Sequence, residues 1–201
     1  MHYLPIKRAL MSVTDKSGLV ELAQTLRQGN VELVSTGGTM RQLTQAGIEV
    51  LSVSEVTGFP EILGGRVKTL HPRIHAGVLA DKDNPEHLQT LEEQGIAPID
   101  LICVNLYDFA GALSRSLSDN ELVEEIDIGG PTLLRAGSKN YHSVGVIPST
   151  EHYPRLVQEL ETQDFRLSLD FRREMAAATF KMISRYDALI ARALGNEAEP
   201  G

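Results

Sequence analysis

The stretch ALMSVTDKSGLVELAQTLRQGNVELVSTGGTMRQLTQAGIEVLSV, residues 9–53, decides the fold of this chain. It contains three short apolar runs, at 9–13, 31–35 and 48–53, which are typical of buried strands. Between these runs, apolar residues recur three and four positions apart, which predicts two helices. Strands that alternate with helices predict a parallel sheet covered by helices.

The remainder of the chain extends this pattern. A segment rich in Gly and Pro at 54–73 predicts a long loop, and such a loop in a compact domain is usually functional. Further strands are predicted at 74–79, 99–105 and 144–147. Further helices are predicted at 85–94, 117–125 and 131–139, from about 149, and at 168–194. The last helix is too long to pack wholly on a small sheet, so we expect it to contact a partner subunit.

These elements predict one domain over residues 1–195. Its expected fold class is α/β: a three-layer, mainly parallel sheet flanked by helices, with additional C-terminal helices. Residues 196–201 are polar and are expected to form a disordered tail.

Composition restricts the class of protein. The net charge is −8, from 27 acidic and 19 basic residues, which disfavours a general nucleic-acid binder. The single cysteine, Cys103, lies in an apolar run and suits a reducing cytosol. The first residues lack a secretory segment, and no apolar run approaches the roughly 20 residues of a membrane helix. We therefore expect a soluble, cytoplasmic protein with neither nucleic-acid nor membrane partners.

Four unusual segments follow predicted strands, at 14–16, 36–39, 54–73 and 105–107. In open α/β sheets, ligands bind beyond the carboxyl ends of the strands, where these segments are expected to meet. The segment at 36–39 opens a helix, so its amides can hold a phosphate, although a tight turn with Thr39 as helix cap fits equally well. Lys16 lies near a helix start, where an anionic ligand would balance its charge.

Residues 65–72, here called the basic loop, offer a second set of candidate groups. Arg66 and Lys68 are two residues apart, so an extended segment points both to one side. Arg suits phosphate oxygens and Lys can transfer protons, although a solvated loop would look the same. His71 and His75 are four apart, but Pro72 opposes a helix interior and no third ligand lies nearby, so no metal site is predicted.

Two further residues have both a functional and a structural interpretation. Asp127 stands among apolar residues just before Gly129 and Gly130, where the backbone can approach a ligand closely. An aspartate in such a setting is also often a helix cap. Lys139 ends the following predicted helix, where the helix dipole favours a cation in any case.

Together these motifs resemble the IMP cyclohydrolase part of the bifunctional AICAR transformylase/IMP cyclohydrolase family. The resemblance extends over 9–194, and its matching strings are 12–16, 35–39, 57–61, 64–72, 105–107, 125–134 and 139–140. It implies a methylglyoxal-synthase-like fold and a homodimer. It also implies closure of FAICAR to IMP, the last step of purine biosynthesis, with no cofactor and no metal.

The resemblance also implies site residues. It places Lys68, Tyr107, Asp127 and Lys139 around the reacting carboxamide and formyl groups. We expect Lys139 to be the general acid, and Asn105 with nearby amides, or Lys68, to donate to the oxyanion. The implied substrate-binding residues are Thr14, Asp15, Lys16, Thr36, Gly37, Gly38, Thr39, Arg66, Thr69, Val104, Asn105, Ile128 and Gly129.

The chain departs from the family pattern at three places. Asp108 stands where the family has proline, Tyr141 where it has histidine, and Met182 with Ile183 where it has His-Thr.

Two other functions are alternatives to the cyclohydrolase. One is a methylglyoxal-synthase-type lyase, which has no need of the 65–72 and 126–139 segments. The other is a purine-nucleotide-sensing module that binds without catalysis and can dispense with Lys68 and Lys139.

Overall fold

A computed structural model describes residues 1–195, which form seven strands and ten α-helices. The strands are β1 (Tyr3–Pro5), β2 (Arg8–Ser12), β3 (Glu32–Ser35), β4 (Leu51–Ser52), β5 (Leu101–Val104), β6 (Gly145–Ile147) and β7 (Arg166–Ser168). The helices are α1 (Leu19–Gln28), α2 (Gly37–Gln45), α3 (Val53–Thr57), α4 (Pro72–Leu79), α5 (Pro85–Glu93), α6 (Phe109–Leu113), α7 (Asp119–Glu124), α8 (Gly129–Lys139), α9 (Tyr153–Thr162) and α10 (Leu169–Leu194). Two short 3-10 helices cover Leu63–Gly65 and Thr150–His152.

Five strands form one parallel sheet in the order β4-β3-β2-β5-β6. The first of these strands in the chain, β2, is the central one, and its Leu10 pairs with Val34 on one side and Ile102 on the other. The predicted parallel sheet is therefore confirmed. A separate antiparallel pair, β1 with β7, was not predicted, since three-residue strands carry no usable periodicity.

Helices cover both faces of the sheet. Because successive strand residues point to opposite faces, Ala9 and Met11 pack into one apolar core and Leu10 into another. Helices α1 and α9 cover the first core, and α4 and α8 the second. The long helix α10 serves both, through Phe171 at its start and Ile183 farther along. The three-layer prediction is thus confirmed.

Two predicted strands differ in the structure. Residues 74–79 belong to α4, because His71 caps its start and accepts a hydrogen bond from the Arg73 amide (3.2 Å), while Pro72 occupies the first turn. Proline there begins the helix instead of opposing it. The strand predicted at 48–53 shortens to β4, because the side chains of Ser52 and Glu55 form a capping box that starts α3.

A buried arginine closes the amino-terminal edge of the sheet. Arg172 of α10 has no exposed surface, and its guanidinium donates to six backbone carbonyls. These belong to Met1, His2, Tyr141, His142, Leu167 and Ser168. Nearby, Lys82 Nζ pairs with Asp100 Oδ1 at 2.5 Å, and the other carboxylate oxygen accepts from the amides of Lys7 and Arg8. Arg172 therefore ties the last helix to the start of the chain.

The predicted tail at 196–201 lies outside the described residues. Across residues 1–195, none of the helices has the length and apolar character that a membrane span requires.

Candidate active site

A cavity of about 930 Å³ opens beyond the carboxyl ends of β2, β3 and β5. That volume suits a ligand of nucleotide size. The residues predicted to bind or act on a substrate line this cavity, with the exceptions of Asp15 and Lys139. Segments far apart in the sequence therefore meet at the sheet edge where the topology predicts a ligand.

One end of the cavity is the first turn of α2. Thr36 is the N-cap residue, so the alternative assignment of Thr39 as the cap is wrong. The first amides of a helix have no partner within it, and the helix dipole places positive charge there. Gly37 has φ +47°, and a side chain on it would begin 3.2 Å from Lys68 Nζ. The turn therefore offers amides and a cation to an anionic group.

Two further cations approach this turn. A Cβ on Gly38 would lie 3.6 Å from both Lys16 Cε and Arg41 Nη2. Neither Lys16 nor Arg41 forms an ion pair with any carboxylate of residues 1–195. Sequence reasoning missed Arg41, although its position three residues after Gly38 puts both on one helix face.

Other predicted ligand residues instead hold the loop after β2. Asn105 Oδ1 accepts from the amides of Thr14 (2.6 Å) and Asp15 (3.1 Å), while its Nδ2 donates to the Asp15 carbonyl (2.9 Å). The hydroxyl of Thr39 accepts from the Val13 amide (2.9 Å) and donates to the Val13 carbonyl (3.0 Å). Asn105, expected to donate to an oxyanion, is engaged in positioning this loop.

Asp15 is the predicted substrate ligand that the structure places outside the cavity. Its carboxylate accepts from the Ser17 amide at 2.9 Å and from the Thr150 hydroxyl at 3.0 Å. The hydrogen bonds from Ser17 are the largest cause that lowers its pKa below the ordinary aspartate value. Asp15 therefore fixes a turn and does not line the cavity, and its role as a substrate ligand stays a prediction.

Carboxylates balance both cations of the basic loop. Arg66 pairs with Glu124, and Lys68 Nζ lies 3.1 Å from Glu61 Oε1. Gly65 has φ +90°, and a Cβ on it would overlap both Lys68 Cε and Glu61 Oε1. The positive φ favours glycine at 65, and a side chain there would also displace the ends of Lys68 and Glu61. Sequence reasoning did not identify Glu61 or Glu124 as partners.

Asp127 also lines the cavity. Its Oδ1 accepts from the Gly130 amide at 2.9 Å, and the Tyr107 and Gly129 amides also face the carboxylate. Burial nevertheless outweighs these hydrogen bonds and raises the pKa of Asp127 above the ordinary aspartate value. A carboxyl group whose pKa is raised holds a proton more readily than an ordinary aspartate, which suits a group that accepts a proton and then returns it.

The basic loop and the start of α8 meet beside this carboxyl. The hydroxyl of Thr69 would lie 3.0 Å from a Cβ on Gly129, so the two segments are in close contact. Lys68, Tyr107 and Asp127 line the same cavity, and the exposed Ile128 lies at its rim. Three of the four predicted catalytic residues are therefore brought together.

Lys139 is not brought together with them. It is the last residue of α8, and Gly129 is the first. At 1.5 Å per residue, the ends of this uninterrupted helix are about 15 Å apart. Lys139 is exposed and does not line the cavity. Within one chain, Lys139 therefore lies apart from the other three predicted catalytic residues, and its role stays a prediction.

The two histidines considered as metal ligands have other surroundings. His71 caps α4 and lies against Phe59, with ring centroids 5.8 Å apart. His75 lies in the same helix, and burial lowers its pKa. Within the described part of the chain, no group of three His, Cys, Asp or Glu side chains is arranged to hold a metal ion.

Comparison with known families matches two models to this chain. The MGS-like domain matches residues 18–132, and the AICARFT/IMPCHase bienzyme matches residues 137–200. The first match includes the cavity segments from Thr36 to Gly130. The second includes α10 and begins within α8.

Curated relatives are longer than this chain. The bifunctional purine biosynthesis protein PurH of Oenococcus oeni is 49% identical over 196 residues, which are 97% of this chain and 38% of that protein. The protein of the same name from Clostridium botulinum strain Langeland is 47% identical over 195 residues, or 97% and 39%. Among solved structures, the crystal structure of ForH has a TM-score of 0.78 at 31% identity, and the match covers 92% of this chain and 97% of that one.

Proposed function

The chain belongs to the MGS-like domain family and continues into a segment of the AICARFT/IMPCHase bienzyme family, and we propose that it is an IMP cyclohydrolase, which closes FAICAR to IMP. The observation that carries the proposal is the Asp127 carboxyl, whose pKa is raised by burial, in one cavity with Lys68 and Tyr107. The chain spans 38% of the length of the Oenococcus oeni relative, so transformylase activity is not part of the proposal.

The substrate phosphate belongs at the first turn of α2 in this proposal. The amides of Gly37 and Gly38 supply donors there, and Lys16 supplies charge from the cavity lining. Arg41 adds positive charge beside the turn, although it does not line the cavity. Among residues 1–195 neither cation has a carboxylate partner, and two such cations at the positive end of a helix dipole are unfavourable until an anion binds. Lys68 and Arg66 already have carboxylate partners, so they are the weaker candidates for holding the phosphate.

The base then extends towards Asp127 and Tyr107. Ring closure is intramolecular, so orientation of the two reacting groups is the main requirement, and it can lower the barrier by about 7–11 kcal/mol in the best cases. The tight contact between Thr69 and Gly129 limits the space available to the substrate. Such confinement favours the folded conformer in which the carboxamide nitrogen faces the formyl carbon.

The chemistry proceeds in two stages. The carboxamide nitrogen attacks the formyl carbon, and the Lys68 ammonium stabilises the negative charge that develops on the formyl oxygen. Asp127 takes the proton that the nitrogen loses and delivers it to this oxygen. The oxygen leaves as water with a second proton, from the formamido nitrogen, and the ring double bond forms. No metal or cofactor enters this scheme.

Asp127 thus replaces Lys139 as the proposed proton donor. A general acid must lie within hydrogen-bond reach of the group that it protonates. Asp127 lines the cavity and Lys139 does not. Because burial favours the protonated carboxyl, Asp127 can retain the proton between the two stages.

The test is direct conversion of substrate. Purified protein is incubated with FAICAR, and formation of IMP is followed by its absorbance. Turnover supports the proposal. Tight nucleotide binding without IMP formation would instead indicate a sensing module. Release of methylglyoxal from dihydroxyacetone phosphate, with FAICAR unchanged, would indicate a lyase.

A homodimer and a cytoplasmic location belong to the same proposal. Leu63, Val123 and Ile128 stand at the rim of the cavity, 68%, 49% and 58% exposed, and an apolar rim of this kind favours a protein contact. Cys103 is free and buried, which suits a reducing compartment. Light scattering on the purified protein tests the dimer: a monomer at micromolar concentration would contradict it.

A further inference from the structure

The backbone of Asp127 is fastened by a residue of the C-terminal helix. The Asp127 amide donates to the Tyr186 hydroxyl oxygen at 2.8 Å. Tyr186 is 9% exposed, and its ring meets Phe109 edge-on, with centroids 6.2 Å apart. Burial raises the pKa of Tyr186, so its hydroxyl is neutral at physiological pH. This contact joins α10 to the cavity wall across 59 residues of sequence.

Backbone amides hold the carboxyl group of Asp127 in place. It accepts from the Gly130 amide at 2.9 Å, and the amides of Tyr107 and Gly129 also face it. A Cβ on Gly130 would overlap this carboxyl, and it would lie 3.0 Å from Leu106 Cδ2. Any movement of the Asp127 backbone would therefore carry its carboxyl away from these amides.

We infer that Tyr186 is a positioning residue for Asp127, which it holds through the backbone amide in the orientation that proton transfer requires. The inference rests on the proposed function, because that function gives Asp127 its proton-transfer role. The MGS-like match ends at residue 132, so Tyr186 comes from the segment beyond it. The C-terminal helix thus adds to the site a support that the matched MGS-like segment does not supply.

Tyr186→Phe tests this role, because it keeps the ring against Phe109 and removes only the hydroxyl. We expect kcat on FAICAR to fall about tenfold with KM changed less than about twofold, since misplacement of a reacting group mainly slows chemistry. The pH dependence of kcat should also shift, because the surroundings of the Asp127 carboxyl change. Tyr141→Phe is the matched control, since this half-buried tyrosine lies at the opposite edge of the sheet.

Two measurements on the protein without substrate are independent of turnover. Hydrogen exchange of the wild-type Asp127 amide should be slow, and it requires no variant. Carbon-13 NMR titration of the aspartate carboxyls, assigned with Asp127→Asn, should show that Tyr186→Phe moves the Asp127 midpoint and Tyr141→Phe does not. An unprotected Asp127 amide, or unchanged kcat and an unchanged midpoint in Tyr186→Phe, would overturn the inference. Absence of wild-type turnover would instead refute the proposed function, and the NMR measurements would still decide the role of Tyr186.

Discussion

Asp127 is proposed to transfer a proton, and its buried charge also lowers the stability of the folded protein. Its folded-state pKa is raised, so the carboxyl contributes stability below its unfolded pKa, and that contribution is lost as pH rises through the folded pKa. Asp127→Asn keeps an oxygen for the Gly130 amide and removes the charge. We expect turnover of FAICAR by the variant to fall by about 10²-fold or more. We also expect the variant to resist urea better than wild type, and this gain should be larger at pH 7.5 than at pH 4.

Asp15→Asn is the matched control, because the pKa of Asp15 is shifted in the opposite direction. Its carboxylate contributes stability above the unfolded pKa, and this is lost as pH falls through the folded pKa. The variant should therefore be less stable than wild type at pH 7.5 and more similar to it at pH 4. Equal urea midpoints for Asp127→Asn and wild type at every pH would contradict the assigned burial cost.

At the residue scale, the sequence identified groups with recognisable chemistry and missed their partners. Lys68 and Asp127 stand out through charge among glycines or apolar residues. Glu61 and Tyr186 give no such signal, because their roles arise only when distant segments meet. The resemblance places Lys139 in the site, whereas in a single chain Lys139 ends α8 away from the cavity lining.

At the element scale, the start of α4 connects helix stability to the basic loop. His71 caps this helix and directly follows the loop residues that line the cavity. His71→Ala should lower the free energy of unfolding by about 1 kcal/mol, because the Arg73 amide loses its acceptor. It should also raise KM for FAICAR, because the loop before the helix loosens. Urea unfolding and steady-state kinetics measure the two effects.

Asn84→Ala is the control for that prediction. Asn84 caps α5 in the same way, accepting from the Glu86 amide at 2.9 Å, and it lies outside the cavity. A similar loss of stability with unchanged KM is expected. If both variants left KM unchanged, the cap of α4 would have no influence on the loop.

The elements differ in how well a sequence reveals them. The helix predicted at 168–194 is confirmed as α10, because its apolar residues recur at helical spacing over many turns. The run at 74–79 is short and apolar, a pattern that strands and buried helices share. Its capping histidine and N-terminal proline contained the missing information.

At the scale of the whole molecule, Arg172 connects the last helix to the chain start. Arg172→Met should lower the free energy of unfolding by about 3 kcal/mol or more, because it leaves several buried carbonyls without donors. Arg155→Met on the exposed pair with Glu174 should cost less than about 1 kcal/mol. Urea unfolding of both variants checks this, and equal losses would refute a special role for Arg172.

The sheet and its two helical layers followed from the alternation of apolar runs, since that pattern repeats along the chain. The contacts that Arg172 makes with the start of the chain could not be predicted from that alternation. A single arginine in an amphipathic helix is normally read as solvent-facing, and only the assembled fold brings Met1 and Tyr141 to it.

The same guanidinium also sets an order of events during synthesis on the ribosome. Strands β2, β3 and β4 with helices α1 and α2 involve only the first quarter of the chain, so this half-sheet can assemble early. The carbonyls of residues 1 and 2 can bind the Arg172 guanidinium only after residue 172 has emerged from the ribosome. We therefore expect a nascent chain that ends before α10 to remain sensitive to protease at its amino terminus, with resistance appearing only after the first turn of that helix, which contains Arg172, has emerged.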